Sequence, residues 1–447
     1  MRVVKIILAV GVIALAVALL AFAGYFLWSA LPGSESPPEV LQSALVGEEE
    51  PAPTPPAEEL PVEDPPAEEP SAEEPPAEAP SVEEQPEEPP AEEEVPDTAA
   101  LQQQAQAYLE TMTLEEKVWQ LFIVTPEALT GYPLVTRAGE ATQEALEERP
   151  VGGLIYFSDN LENREQTKTM LQGVQSYAKT GMFLCVDEEG GLVARVGRNP
   201  AMGTTYFEAA AVYGERADMA EVYNVGKTMA QELTELGFNL NFAPVADVVT
   251  NPNNTEIGSR AYSSDPQTAG ALVAAMVEGL QRNGMISCLK HFPGHGSTEA
   301  DSHDGTSVSD RTVEEMQQSE WIPFYKGIQK GASFVMLSHL TNIHVSEYPA
   351  SLSAQMVTYL REGLGFAGII ITDSQQMGAV TEHFTAGEAA LKALEAGVDM
   401  ILMPEDLQEA QEAILVAVEK GELTEERINE SVLRILMVKY QYGILSE

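Results

Sequence analysis

Basic residues are scarce in this chain. Its 447 residues hold 24 Lys and Arg against 70 Asp and Glu, a net charge of -46. Proteins that grip nucleic acid neutralise phosphates with Lys and Arg, so no nucleic-acid partner is expected. Cysteine is almost absent, with only Cys185 and Cys288. Two cysteines make no disulfide framework. Both fall in apolar, strand-like runs, so buried free thiols are expected. The chain has no Cys-rich or HExxH pattern, so no metal site is assigned. It also lacks a Gly-rich dinucleotide fingerprint and a P-loop, so no cofactor is expected.

Composition divides the chain into three parts. Residues 1–33 are nearly all apolar: Arg2 and Lys5 precede an almost unbroken run from Ile6 to Leu31. Such a run can span a ~30 Å hydrocarbon core. Tyr25 and Trp28 lie at its far end, where interfacial aromatics belong. The basic residues on the N-terminal side predict that this end stays inside and the rest is extracytoplasmic. The expectation is a transmembrane helix that makes the protein single-pass in the cell membrane. A cleaved export signal ending near Ala21-Phe22-Ala23 is the alternative. No Cys follows the run, which excludes a lipid-modified cysteine. Residues 34–97 hold 22 of the acidic residues and no Lys or Arg. They repeat Pro-Pro-Ala-Glu-Glu with variations, a composition that cannot bury a core. A disordered, extended linker is expected there. Residues 98–447 remain for one large globular domain.

Within that domain Thr113-Leu114-Glu115-Glu116 reads as a capping box at a helix start. Eight short apolar runs follow: Gln120–Val124, Gly153–Phe157, Met182–Val186, Leu240–Ala243, Ile286–Leu289, Phe334–Leu337, Gly368–Thr372 and Asp399–Met403. Helical patterns separate most of them, such as Glu162–Thr180, Ala217–Leu236, Pro266–Asn283, Ser353–Glu362 and Gly387–Ala396. Short buried strands alternating with amphipathic helices imply a parallel sheet. Eight such units predict an α/β fold, a single (β/α)8 TIM barrel. An open doubly wound sheet is the alternative. Two more helices, Glu405–Lys420 and Thr424–Tyr442, end the chain.

Barrel enzymes carry their chemistry at the C-terminal ends of the strands. Here those ends are polar. Asp187 follows the third run, Asp247 the fourth, Ser338 and His339 the sixth, and Asp373 the seventh. The fifth leads through Lys290 and His291 into Phe292-Pro293-Gly294-His295-Gly296, then Asp301-Ser302-His303. Asp373 ends an apolar run, so it is desolvated unless it meets a cation or a hydrogen-bond donor. Lys290 and Arg260 are the candidates. An ionised, buried carboxylate suits a nucleophile. An imidazole such as His303 can give a proton to a leaving oxygen and take one from water, and Asp301 can orient it. The surrounding Gly and Pro suit a loop that closes over substrate.

These residues resemble a known family. Lys290-His291-Phe292-Pro293-Gly294-His295-Gly296 with Asp301-Ser302-His303 is similar to the signature of glycoside hydrolase family three, in its NagZ-like β-N-acetylhexosaminidase branch. Asp187-Glu188-Glu189-Gly190-Gly191, Ala243-Pro244-Val245-Ala246-Asp247, Ile257-Gly258-Ser259-Arg260 and Thr372-Asp373-Ser374 also match. The resemblance covers roughly Leu101 to Tyr442. It implies a (β/α)8 barrel and retaining hydrolysis of terminal β-linked N-acetylglucosamine from peptidoglycan fragments or other glycans. It implies Asp373 as nucleophile, His303 as general acid/base and Asp301 as its partner. Asp187, Arg260, Lys290 and His291 would bind the sugar, with Asp247 a further member of the site. Two positions depart from the pattern. Ser297 stands where many relatives carry Asp, and Asp373-Ser374-Gln375 stands in place of Asp-Asp-Leu. Two other functions fit the same residues: a phosphorylase, with phosphate as acceptor, and a surface sugar-binding protein without catalysis.

Overall fold

The computed structural model describes residues 98–298 and 307–446. The runs expected as strands all form strands, and every strand residue is buried. They are β1 Phe122–Val124, β2 Gly153–Tyr156, β3 Phe183–Val186, β4 Leu240–Asn241, β5 Ile286–Phe292, β6 Phe334–Leu337, β7 Ile369–Thr372 and β8 Ile401–Leu402. Each pairs in parallel with its neighbours in sequence, in the order β8-β1-β2-β3-β4-β5-β6-β7. A parallel bridge between Ile371 and Met400 joins β7 to β8. Asp399 N donates to Ile370 O at 2.8 Å and Thr372 N to Met400 O at 3.1 Å, carrying the ladder across that seam. The result is a near-closed eight-stranded barrel. A doubly wound sheet would reverse its strand order part-way across, and this one does not.

The helices follow from local chemistry. Thr113 caps Leu114–Trp119 with the expected capping box. Asp265 caps Pro266–Gln281, where Pro266 occupies a first-turn position that needs no N–H. The expected helix Ser353–Glu362 is shorter than its pattern suggests. It is α-helical over Ala354–Thr358 and then widens into a π turn over Tyr359–Gly363. At the N-terminal end of the barrel, Phe183 of β3 meets Phe334 of β6 edge to face at 5.2 Å. That end of the barrel is therefore filled with side chains. Cys185 and Cys288 are buried free thiols.

The expected transmembrane helix at 1–33 and the linker at 34–97 lie outside the described residues. Among the described residues no helix is long and apolar enough to cross a membrane. The reason is visible in the 18-residue helix Met219–Leu236. It buries Val222, Val225, Met229, Leu233 and Leu236 against the barrel, while Glu221, Lys227, Glu232 and Glu235 interrupt the sequence. That is a surface helix with one apolar stripe. The expectations of a transmembrane element, a membrane partner and a single-pass location are corrected on this ground.

Candidate active site

A cavity of about 420 Å³ opens at the C-terminal ends of the strands. Asp187, Glu189, Arg195, Glu256, Arg260, Lys290, His291 and Asp373 line it, with Phe157, Met336, Met377 and Met403 among its apolar walls. Five of the expected site residues therefore meet in one space: Asp187, Arg260, Lys290, His291 and Asp373. Asp301 and His303 lie outside the described residues.

The charged floor is a chain of ion pairs. Lys290, on β5, places Nζ 2.7 Å from Asp187 Oδ1 and 2.6 Å from Glu189 Oε1. Arg260 donates to both Glu189 oxygens, from Nε and Nη2, each at 2.9 Å. Burial alone would push Glu189 up, but Lys290 and Arg260 more than reverse this and hold it at about 2. Burial likewise works against the cations, yet Asp187 and Glu189 raise Lys290, and Glu189 raises Arg260. Glu189, Lys290 and Arg260 therefore stay charged near neutral pH. Fixed donors and acceptors packed this way complement the hydroxyls of a polyol.

Asp187 and Glu189 reach the cavity because a short hairpin follows β3, pairing Glu188–Gly190 with Val193–Ala194. Gly191 turns at φ 57°, and a Cβ there would sit 2.7 Å from Ala209 Cβ. The return arm brings Arg195 into the cavity wall, its guanidinium 5.4 Å above the Phe157 ring.

Asp247 does not line the cavity. It is 1% exposed and sits behind His291. His291 Nδ1 lies 2.8 Å from Asp247 Oδ2, which also accepts from His291 N at 3.2 Å. His295 N donates to Asp247 Oδ1 at 2.6 Å. Burial would raise this carboxyl, but His291 and the His295 N–H bring it below its ordinary value. An ionised Asp247 fixes the proton of His291 on Nδ1. Nε2, 3.5 Å from Arg260 Nη2, then faces the cavity. The carboxylate orients an imidazole rather than touching a ligand.

Asp373 follows β7 and points into the cavity. Ser374 N donates to its Oδ1 at 2.7 Å. Burial pushes Asp373 up, but the imidazoles of His291 and His339, the Ser374 N–H and Lys290 outweigh it. Lys290 acts on Asp373 as expected, whereas Arg260 is bound to Glu189 instead. His339, buried at the end of β6, holds the turn after Asp373. Its Nε2 lies 2.8 Å from Ser374 O and its Nδ1 2.7 Å from Ser351 Oγ. Burial lowers the His339 pKa, although Asp373 and the Ser374 carbonyl pull it up.

Glu189, Arg195 and Glu256 were not among the expected site residues. Glu189 stands inside the Asp187–Gly191 element, and strand alternation puts it on the same side as Asp187. Arg195 lies beyond the hairpin turn, where no apolar run marks its position. Glu256 stands four residues before Arg260 in an irregular loop and left no pattern.

Comparison with known proteins fits this geometry. The glycosyl hydrolase family 3 N terminal domain matches residues 113–438. The chain belongs to glycosyl hydrolase family 3. A β-hexosaminidase of Chromobacterium violaceum is 35% identical over 300 residues, covering 64% of this family 3 chain and 82% of its own. β-Hexosaminidase A of Pseudoalteromonas piscicida is 32% identical over 325 residues. The family 3 chain matches only 54% of that protein's length. A solved family 3 β-N-acetylglucosaminidase from Paenibacillus sp. FPU-7 shares 33% identity at a TM-score of 0.70, over 75% of this chain and 63% of that one.

Proposed function

We propose that this family 3 barrel is an exo-acting, retaining β-N-acetylhexosaminidase. It removes terminal β-linked N-acetylglucosamine from peptidoglycan fragments or other glycans. The observation that carries this reading is the cavity itself. One carboxylate, Asp373, is held ionised on one wall, beside a floor of paired donors and acceptors suited to sugar hydroxyls. Relatives named as β-hexosaminidases and a β-N-acetylglucosaminidase support the choice of sugar.

The proposed reaction has two displacements. Ser374 N occupies Asp373 Oδ1, which leaves Oδ2 to attack the anomeric carbon. The bond to the leaving oxygen breaks as His303, oriented by Asp301, gives that oxygen a proton. His303 then takes a proton from water, and the water oxygen displaces Asp373 from the sugar. Retention follows because the anomeric centre is inverted twice. Asp187, Arg195, Lys290, His291 and Arg260 bind the sugar, and Glu189 ties Lys290 and Arg260 together beneath it.

The test is a panel of 4-nitrophenyl β-glycosides given to the full chain, with and without inorganic phosphate. The N-acetyl-β-glucosaminide should be turned over to the free sugar in both conditions. No turnover, or a sugar 1-phosphate product, would contradict the reading. Asp373→Asn should lower kcat by roughly 10³-fold or more with the thermal midpoint kept, since it removes the nucleophile.

A further inference from the structure

Glu188 stands between two cavity carboxylates, Asp187 and Glu189, and faces the other way. It is 2% exposed and pairs with no Lys or Arg at ion-pair distance among the described residues. Its oxygens accept from backbone instead. Val196 N donates to Oε2 at 2.7 Å and Gly197 N to Oε1 at 3.0 Å. Those two residues directly follow Arg195 on the return arm of the hairpin. The backbone of Glu188 is itself clamped. Its N–H donates to Asn241 Oδ1 at 2.9 Å, and its carbonyl accepts from Asn241 Nδ2 at 2.9 Å. A rigid strand therefore holds Glu188, and the Glu188 carboxylate holds the segment that carries Arg195.

We infer that Glu188 is a positioning residue for sugar binding: its two-oxygen clamp on Val196 and Gly197 sets the place of Arg195 in the cavity wall. The inference rests on the sugar-binding reading of that cavity. A carboxylate offers acceptors on both oxygens. A protonated carboxyl keeps a carbonyl acceptor on one oxygen and turns the other into a hydroxyl, an O–H donor and a much poorer acceptor, so one of the two N–H groups is held more weakly. Burial raises the Glu188 pKa to about 7, although the backbone donors and Arg195 pull it down. The clamp is thus strong on both arms above neutrality and weakened on one arm below it. Few other charges face this carboxyl. Arg195 is on its own hairpin, and Asp187 and Glu189 adjoin it in sequence. On the helix Met219–Leu236, Glu232 lines the same small cavity, with both its oxygens bonded to Thr205. Strand β4 contributes only the uncharged Asn241.

Glu188→Gln copies the protonated form, because a carboxamide also has one acceptor oxygen and one donor. KM and kcat for 4-nitrophenyl N-acetyl-β-glucosaminide are measured from pH 6 to pH 8 on the full chain and this variant. In the unaltered protein KM should fall about 3- to 10-fold as pH rises through 7. In Glu188→Gln, KM should stay at the unaltered protein's pH 6 value throughout, with kcat within about 2-fold and the thermal midpoint kept. A Glu188→Gln protein that retains the original KM-versus-pH curve overturns the inference. So does an equal loss of kcat at every pH, which would signal general damage. If the unaltered protein turns over no β-N-acetylhexosaminide, the functional reading fails first, and that outcome is distinct from either of these.

Discussion

Three donors converge on Asp247, and none of them belongs to a ligand. Its role is to keep His291 in one tautomer and to tie β5 to the loop after β4. Asp247→Asn would turn one acceptor into a donor facing a backbone N–H. A hydrogen bond to a charged group contributes about 1.5–3 kcal/mol, so kcat/KM should fall roughly 10- to 100-fold. Kinetics on a β-N-acetylglucosaminide checks this, and an unchanged kcat/KM would contradict the orienting role. At this scale the sequence was informative where a polar side chain ends an apolar strand. Asp187, Lys290, His291 and Asp373 all satisfy that rule and all reach the cavity. Asp247 satisfies it too, yet it lies behind His291, because strand order does not reveal depth. Arg195 follows no strand of the barrel, and only the hairpin geometry shows it.

The element that organises the site is the turn after β5. Its glycines answer to space rather than to chemistry. A Cβ on Gly296 would lie 2.0 Å from Val248 O, inside the backbone of the neighbouring loop. Asn251 N also donates to Gly296 O at 3.1 Å, so the two loops cannot simply part. Gly296→Ala should destabilise the fold by about 3 kcal/mol, the upper end of ordinary overpacking, and lower activity with it. Thermal unfolding checks this, and an unchanged midpoint would contradict the close approach. The eight strands were legible as elements because each is a short run buried on both faces. Their ends were not. β4 is regular only over Leu240–Asn241, although Ala243, Pro244 and Ala246 still bond irregularly to β5, which runs on to Phe292. The π turn at Tyr359–Gly363 has no sequence period of its own. It sits where Arg361 turns inward to Asp399 and the carbonyls of Phe366 and Gly368.

The molecule as a whole keeps its two barrel ends apart in character. The C-terminal end is open and charged. The N-terminal end is closed, and Lys439 is sealed into it, fully buried. Its Nζ donates to Gln120 Oε1 at 2.7 Å and lies 5.0 Å from the Phe183 ring, with no carboxylate at ion-pair distance among the described residues. Burial brings its pKa from 10.5 down to about 7. Between these values the unfolded chain binds a proton that the folded protein does not. Stability should therefore rise with pH across that window, by about 2 kcal/mol from pH 7 to pH 9 for this group alone. Lys439→Met should flatten the dependence, and thermal midpoints at the two pH values check it. An equal rise in both proteins would contradict the assignment. The barrel topology was readable from strand and helix alternation, but a lysine buried in an amphipathic helix looks like any exposed one. The molecule's central feature remains one ionised carboxylate, Asp373, on the wall of a sugar-sized cavity. The most direct test is proton NMR of the anomeric signals in the first minutes of hydrolysis of a β-N-acetylglucosaminide. The β-anomer of free N-acetylglucosamine should appear first and equilibrate later. Initial appearance of the α-anomer would mean a single displacement by water, and would contradict Asp373 as nucleophile.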